Sequence, residues 1–165
     1  MIRVRILVLA ITVLSCGDRG EGGKSSTNLV TGTPEGEVVE TRLKAYYDDM
    51  SKRDWPKYKT HFWENATITT AWQQPGDSST TVDVTTIDDF IKEAPNGPGS
   101  QPVFEERMKD AQIEVNGNLA SAWVQYEAKF GSPGNLMEWT GTDVFTLLRH
   151  NGEWKIVSIG FESDQ

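Results

Sequence analysis

The carboxylate of Asp143 is the first residue that invites a chemical reading. It stands in "WTGTDVF", where neighbours alternate as they do in a well-covered strand. At a strand edge or bulge such a group meets water and stays an ordinary solvated carboxylate. Turned inward, it is disfavoured in its charged form by burial, and its raised pKa makes it an acid candidate. Tyr46 and Tyr47 are adjacent phenols on a helical segment, one of them facing inward. The two histidines, His61 near a helix end and His150 beside Asn151-Gly152, are expected as solvated or half-buried surface imidazoles. Two distant histidines and one cysteine lack any metal-ligand spacing, so no metal is expected. The paired aspartates at 48–49 and 88–89 fall on helices without a calcium-loop pattern. Neither a Gly-rich phosphate loop nor a Gly-x-Ser-x-Gly elbow occurs, and no cofactor is expected.

Cys16 is the single thiol, and it lies in "VLSCG". It has no partner for a disulfide. Before it come Arg3 and Arg5, then the apolar run Ile6 to Leu14, then Ser15. A basic start, an apolar stretch and a small residue form the pattern of a secretory signal peptide. Nine apolar residues rise about 14 Å as a helix, too little to span a bilayer's hydrocarbon core. A cysteine directly after the cut resembles the lipobox of bacterial lipoproteins. That resemblance implies cleavage before Cys16, a diacylglycerol on its thiol, and attachment to a lipid bilayer. The implied address is the bacterial cell envelope, at the outer membrane where there is one, because Gly17 rather than an aspartate follows the cysteine. The expected organisation is a signal peptide over 1–15, a lipidated cysteine and flexible tether over 16–32, and one domain over 33–165.

The chain has 24 acidic and 16 basic residues. Without Arg3 and Arg5 the balance is 14 basic against 24 acidic, or −10. No basic run follows Cys16, which argues against a nucleic-acid partner. The 150 residues from Cys16 onward are enough for one hydrophobic core without disulfides.

The elements that must position these groups follow from caps and periodicity. Thr33-Pro34-Glu35 is a helix start, with Val39, Leu43, Tyr46 or Tyr47, and Met50 at helical spacing. Asp54-Trp55-Pro56 begins a second helix, with Trp55, Tyr58 and Phe62 as its apolar stripe. "ATITTAW" over 66–72 reads as a strand and Gln74 to Ser79 as a loop. Thr86-Ile87-Asp88-Asp89 has capping-box spacing and leads a short helix through Phe90, Ile91 and Ala94; "PNGPGSQ" over 95–101 is loop. Four long strands follow, Val103–Val115, Leu119–Phe130, Leu136–Arg149 and Glu153–Phe161, punctuated by Asn116-Gly117, Ser132-Pro133-Gly134-Asn135 and Asn151-Gly152. Helices first and an antiparallel meander afterwards imply an α+β fold with helices on one sheet face.

The opening "YYDDMSKRDWPKYKTHFWENATI" and the ending "NGEWKIVSIGF", in this order and spacing, resemble the nuclear transport factor 2 superfamily. The tail Gly152–Val157 is similar to that of its SnoaL-like branch. The resemblance covers about residues 35 to 163. It implies a cystatin-like cone, a curved sheet around a cavity closed by the helices. It also implies where chemistry would sit. Enzymes of ketosteroid isomerase type in this superfamily place a Tyr on the first helix, a carboxylate base on an early strand and a carboxylic acid on the meander. Here Tyr46 or Tyr47 and Asp143 fit two of those roles. Thr69 and Thr70 stand where the base would be, and Ser158-Ile159-Gly160 stands where cyclase types often carry His-x-His.

Six Trp, four Tyr and six Phe serve this one domain. Trp63, Trp72, Trp123, Tyr126 and Trp139 fall on elements that wall the cone in this fold. They are expected either as core or as the lining of an apolar small-molecule pocket. Two functions remain open. One is a non-catalytic binding or accessory lipoprotein for a small apolar ligand. The other is an isomerase, dehydratase or cyclase using Asp143 with Tyr46 or Tyr47. Convergence of Asp143 and a first-helix Tyr on a shared void favours the enzyme; a solvent-facing Asp143 disfavours it. Apolar residues on both faces of Val144–Leu148 and Trp154–Ile159 add an expectation of a homodimer through the outer sheet face.

Overall fold

The computed structural model describes residues 32–72 and 81–164, the side chain of Trp72 excepted. Cys16, the leader, nearly all of the tether and the 74–79 loop lie outside the described residues.

Helix α1 (Pro34–Ser51) begins where the sequence indicates. The Thr33 hydroxyl accepts from the Gly36 N–H at 3.2 Å, and Glu35 and Glu37 complement the positive helix end. Val39, Leu43, Tyr46, Tyr47 and Met50 form its buried stripe. Helix α2 (Trp55–Lys59) is only five residues long, capped by Asp54. Phe62, expected on its stripe, instead opens strand β1 (Phe62–Trp72). The aromatic and β-branched content of "FWENATITTAW" suits a pleated surface better than another helical turn. Strand β2 (Thr81–Thr86), which the sequence reading omitted, pairs with β1. Its first four residues are exposed, and an edge strand with both faces wet carries little alternation. Helix α3 (Ile87–Glu93) starts at Thr86, whose hydroxyl accepts from the Asp89 N–H at 3.2 Å and donates to the Asp89 carboxylate at 2.8 Å.

Strands β3 (Val103–Asn116), β4 (Leu119–Ser132), β5 (Asn135–His150) and β6 (Glu153–Ser163) form the antiparallel meander. At the last hairpin Asn151 and Gly152 have φ of 51° and 82°, the left-handed pair that a two-residue turn of this hand needs. β6 then pairs in parallel with β1, giving the sheet order β2-β1-β6-β5-β4-β3. This is an α+β, nuclear transport factor 2-like and cystatin-like fold, with the N-terminal helices packed on a curved sheet.

Alternation decides what the helices cover. Ala120, Ala122, Val124, Tyr126 and Ala128 of β4 and Phe145 and Leu147 of β5 are buried on the inner face, in one core with Val39, Leu43, Tyr46 and Tyr47 of α1. Their small residues leave room for the rings of Tyr46, Tyr47 and Phe145, which meet edge to face at centroid distances of 4.9 to 6.1 Å. Among the described residues no helix is long and apolar enough to cross a membrane.

Candidate functional site

Asp143 lies on β5, opposite Val124 of β4 and Phe161 of β6, and its side chain is 5% exposed. It points inward, away from the solvated edge. The Tyr47 hydroxyl on α1 donates a hydrogen bond to its Oδ2. No other hydrogen bond reaches this carboxylate among the described residues, and no lysine or arginine approaches it. Burial pushes the Asp143 acid up to about 7, against the lowering effect of the Tyr47 bond. The same burial, reinforced by the carboxylate, raises the Tyr47 phenol so far that it stays a donor.

A second carboxylate shares the space. Glu106 sits on β3 between the inward-facing Phe104 and Met108, and it too lines the cavity. Its backbone is fixed by the last residue of α1. The Ser51 hydroxyl donates to the Glu106 carbonyl and accepts from the Glu106 N–H, both at 2.8 Å. Desolvation, with the nearby Asp143 charge, pushes the Glu106 acid up to about 8.

The cavity these acids face has a volume of about 250 Å³. Tyr46 and Met50 of α1, Tyr58 of α2 and Phe90 of α3 form its helical side. Phe104, Tyr126, Trp139, Ile159 and Phe161 form its sheet side. Pro98 closes part of it from the 95–101 loop, which Arg53 holds by donating to the Pro98 and Gln101 carbonyls at 3.2 and 2.7 Å. Gly141 is a space requirement of the same wall. A Cβ there would lie 2.4 Å from the Tyr126 hydroxyl oxygen, so glycine lets that phenol rest on β5, 3.0 Å from the Ser163 hydroxyl.

The structure thus brings together Asp143, Tyr46, Tyr47, Tyr126 and Trp139. Two of the expected lining residues lie elsewhere. Trp123 is 59% exposed on the outer face, because β4 parity pairs it with Ser121 and Gln125 rather than with Ala122 and Val124. Trp63 packs against His150 and Lys155, with its indole N–H donating to the Leu148 carbonyl at 3.2 Å. It precedes the β1 irregularity at Asn65, φ 62°, and is not among the residues lining the cavity. Trp72 ends β1, and its side chain is not among those described.

Glu106 was missed. The signal was Phe104 and Met108, two residues to either side, which fix its face. The surrounding run "EERMKD" obscured it, and a register shift between Met108 and Asp110 breaks the alternation just beyond.

His61 is also corrected. It is 3% exposed, not a surface imidazole. It sits below α1, with Nε2 2.8 Å from Asp49 Oδ2 and Nδ1 3.4 Å from the Arg42 guanidinium. With Arg42 donating to Nδ1, the neutral ring carries its proton on Nε2, toward Asp49. Lys57 completes the group at 2.8 Å from Asp49 Oδ1. Burial lowers the His61 pKa, with Asp49 opposing. Burial would raise Asp49, but the bonds from Lys57 and His61 outweigh it and hold the carboxyl below its usual range. This cluster ties α1 and α2 to the turn that leads into β1, and it does not face the cavity. His150 is exposed beside the turn. Among the described residues no three His, Cys, Asp or Glu side chains converge to hold a metal ion.

Solved structures share this architecture at low identity. A nuclear transport factor 2-like protein of unknown function from Shewanella baltica OS155 aligns with a TM-score of 0.59 and 20% identity, over 82% of this chain and 98% of its own. A protein of unknown function with a cystatin-like fold from Nostoc punctiforme PCC 73102 gives 0.63 and 12%, over 80% and 93%. A structure described as "Putative Scytalone Dehydratase", from Novosphingobium aromaticivorans DSM 12444, gives 0.61 and 16%, over 84% and 87%. No curated protein matches the chain. The family model described as "Putative lumazine-binding" matches residues 34–162, from the first turn of α1 to the end of β6, and the chain belongs to that family.

Proposed function

We propose that this protein is a membrane-anchored lipoprotein whose SnoaL-like domain binds a small, largely apolar molecule without transforming it. The observation that carries the reading is the 250 Å³ cavity walled by aromatic side chains, with few polar groups converging on it. The family description adds a candidate class, since lumazine is a compact planar ring system of a size for such a space. Cys16, in its lipobox-like context, supplies the anchor, and the address is the cell envelope. One acyl chain holds a protein only marginally, whereas a diacylated cysteine anchors it stably. Native mass spectrometry of the purified full-length protein, with and without incubation in a small-molecule extract of the source cells, tests the binding reading. A discrete mass increment of a few hundred daltons is expected. An unliganded mass under both conditions would refute it.

One observation favours a second reading. Tyr46 and Asp143 do converge on a shared void, Glu106 joins them, and the Tyr47 hydroxyl donates to Asp143 from behind the cavity wall. An acid pushed up to about 7 is matched to proton transfer at neutral pH, which an isomerase, dehydratase or cyclase needs. Tyr47 would stabilise the ionised form of Asp143, and Glu106 would be the second proton carrier. Deuterium incorporation from D₂O into the bound molecule, lost in Asp143→Asn, would establish this reading in place of the first.

A homodimer through the outer sheet face belongs to the same proposal. Trp123, Val144, Gly160, Thr69 and Val84 stand in one cross-strand row there, an uncharged band on an acidic chain. A second copy presents the same band to it.

A further inference from the structure

The cavity combines two features that a merely apolar ligand does not use. Seven aromatic rings line it, and so do two carboxyl groups. No lysine, arginine or histidine is among the lining residues. Three cations line a groove between α1 and β3 together with Glu106, and each is already engaged. Lys44 pairs with Glu40, Lys52 with Asp48, and Arg107 with Glu127. Tyr47 serves one oxygen of Asp143 only, and no described side chain donates to the Glu106 carboxyl. The positive charge that would balance two ionised carboxylates is therefore missing from the protein side.

We infer that the cavity takes a compact organic cation, a quaternary or protonated amine on an apolar body, seated among the aromatic rings against Asp143 and Glu106. This rests on the reading of the cavity as a ligand site. Aromatic faces attract cations through their quadrupole, most strongly where water is excluded. The carboxylates supply the charge, and the net charge of −8 gives the whole surface a potential that favours a cationic ligand. Specificity follows from the same geometry. An anion would meet two acids and no counter-charge, so it is rejected.

Affinity for such a ligand must depend on pH. The titratable groups facing the pair across the cavity are Tyr46 and Tyr47 from α1, Tyr58 from α2 and Tyr126 from β4, all phenols raised by burial and neutral throughout. On the groove side of Glu106 stand Lys44, Asp48 and Lys52 of α1 and Glu105 and Arg107 of β3. The residues that α3, β1 and β6 bring to the cavity wall are not titratable. The pH response thus reports Asp143 and Glu106, which ionise near 7 and 8. A cation binds their ionised forms and releases protons, so its affinity rises with pH across that window.

The test compares benzyltrimethylammonium with neopentylbenzene, its neutral isostere in which carbon replaces nitrogen. Both are titrated into the full-length protein at pH 6 and pH 9, and the indole N–H resonance of Trp139 is followed by NMR. The cation should bind about tenfold or more tighter at pH 9 than at pH 6, and tighter than the isostere at pH 9. In Asp143→Asn and Glu106→Gln the cation's affinity and its pH response should fall, while the isostere binds as in the parent. Preference for the isostere at both pH values would overturn the cation inference and leave the apolar-ligand reading standing. Failure of both probes to shift Trp139 would overturn both. The parent's own pH response decides the matter if a variant does not fold.

Discussion

Asp143 and Asp49 are both buried aspartates, and their surroundings drive them in opposite directions. Asp49 meets Lys57 and His61, so its ionised form is stabilised. Its contribution to stability is present above the unfolded pKa and lost as pH falls through the lower, folded value. Asp49→Asn should cost about 1–3 kcal/mol in the denaturation midpoint at pH 7, since His61 loses a charged acceptor in a buried site. Asp143 meets a phenol and an apolar cavity, so the protonated form is preferred. Asparagine mimics that form, and Asp143→Asn should hold or raise stability by about 1–3 kcal/mol at pH 8. Had Asp143 been paired with strand N–H groups or a basic residue, the same substitution would lower the midpoint. The sequence could nominate Asp143 but could not choose between these outcomes. Apolar residues on both faces of Val144–Leu148 left its face open, and the absence of a cationic partner depends on three other strands and a helix.

The elements that carry the site were legible to the degree that local chemistry specifies them. Thr33-Pro34 and Thr86 cap their helices as their spacing indicates, and Asn151-Gly152 turns its hairpin. Trp123 should have been placed outside by parity alone, because Ala122, Val124 and Tyr126 define the inner face of β4. Less legible were β2, whose residues are exposed on both faces, and the brevity of α2, after which the chain turns directly into β1. The 95–101 segment read only as loop, yet it brings Pro98 to the cavity and is pinned by Arg53. Arg53→Ala removes donors to two backbone carbonyls. It should speed amide exchange over residues 95–101 and weaken binding in the cavity several-fold, with a stability loss of about 1 kcal/mol. Unchanged exchange in that loop would show that Arg53 does not hold it. Gly141→Ala, by pressing on both the Tyr126 ring and the Glu162 backbone carbonyl, should cost about 1–3 kcal/mol.

At the scale of the molecule, the chain joins a proposed lipid anchor to a domain whose two exposed features are an acidic surface and an uncharged sheet face. Cys16→Ser should move the protein from the membrane to the soluble fraction and abolish incorporation of labelled fatty acid; fractionation like the parent would remove the lipoprotein reading. Trp123→Glu should convert a dimer to a monomer in sedimentation, and a monomeric parent at high concentration would remove the dimer. The central claim is that two acids are held toward a cavity without counter-charges, as a ligand site requires and a satisfied core does not. Both folded pKa values lie above their unfolded ones, from 3.8 to about 7 for Asp143 and from 4.5 to about 8 for Glu106. Between those limits the unfolded chain has released protons that the folded protein keeps. Their contribution to stability is therefore complete below the unfolded values and lost as pH rises through the folded ones. The decisive measurement is urea unfolding of the parent and of the Asp143→Asn/Glu106→Gln double variant from pH 4 to pH 9. The account predicts that the variant's stability relative to the parent climbs steadily between pH 4 and pH 8 and then levels. A difference that stays constant with pH, or that turns against the variant as pH rises, would contradict it.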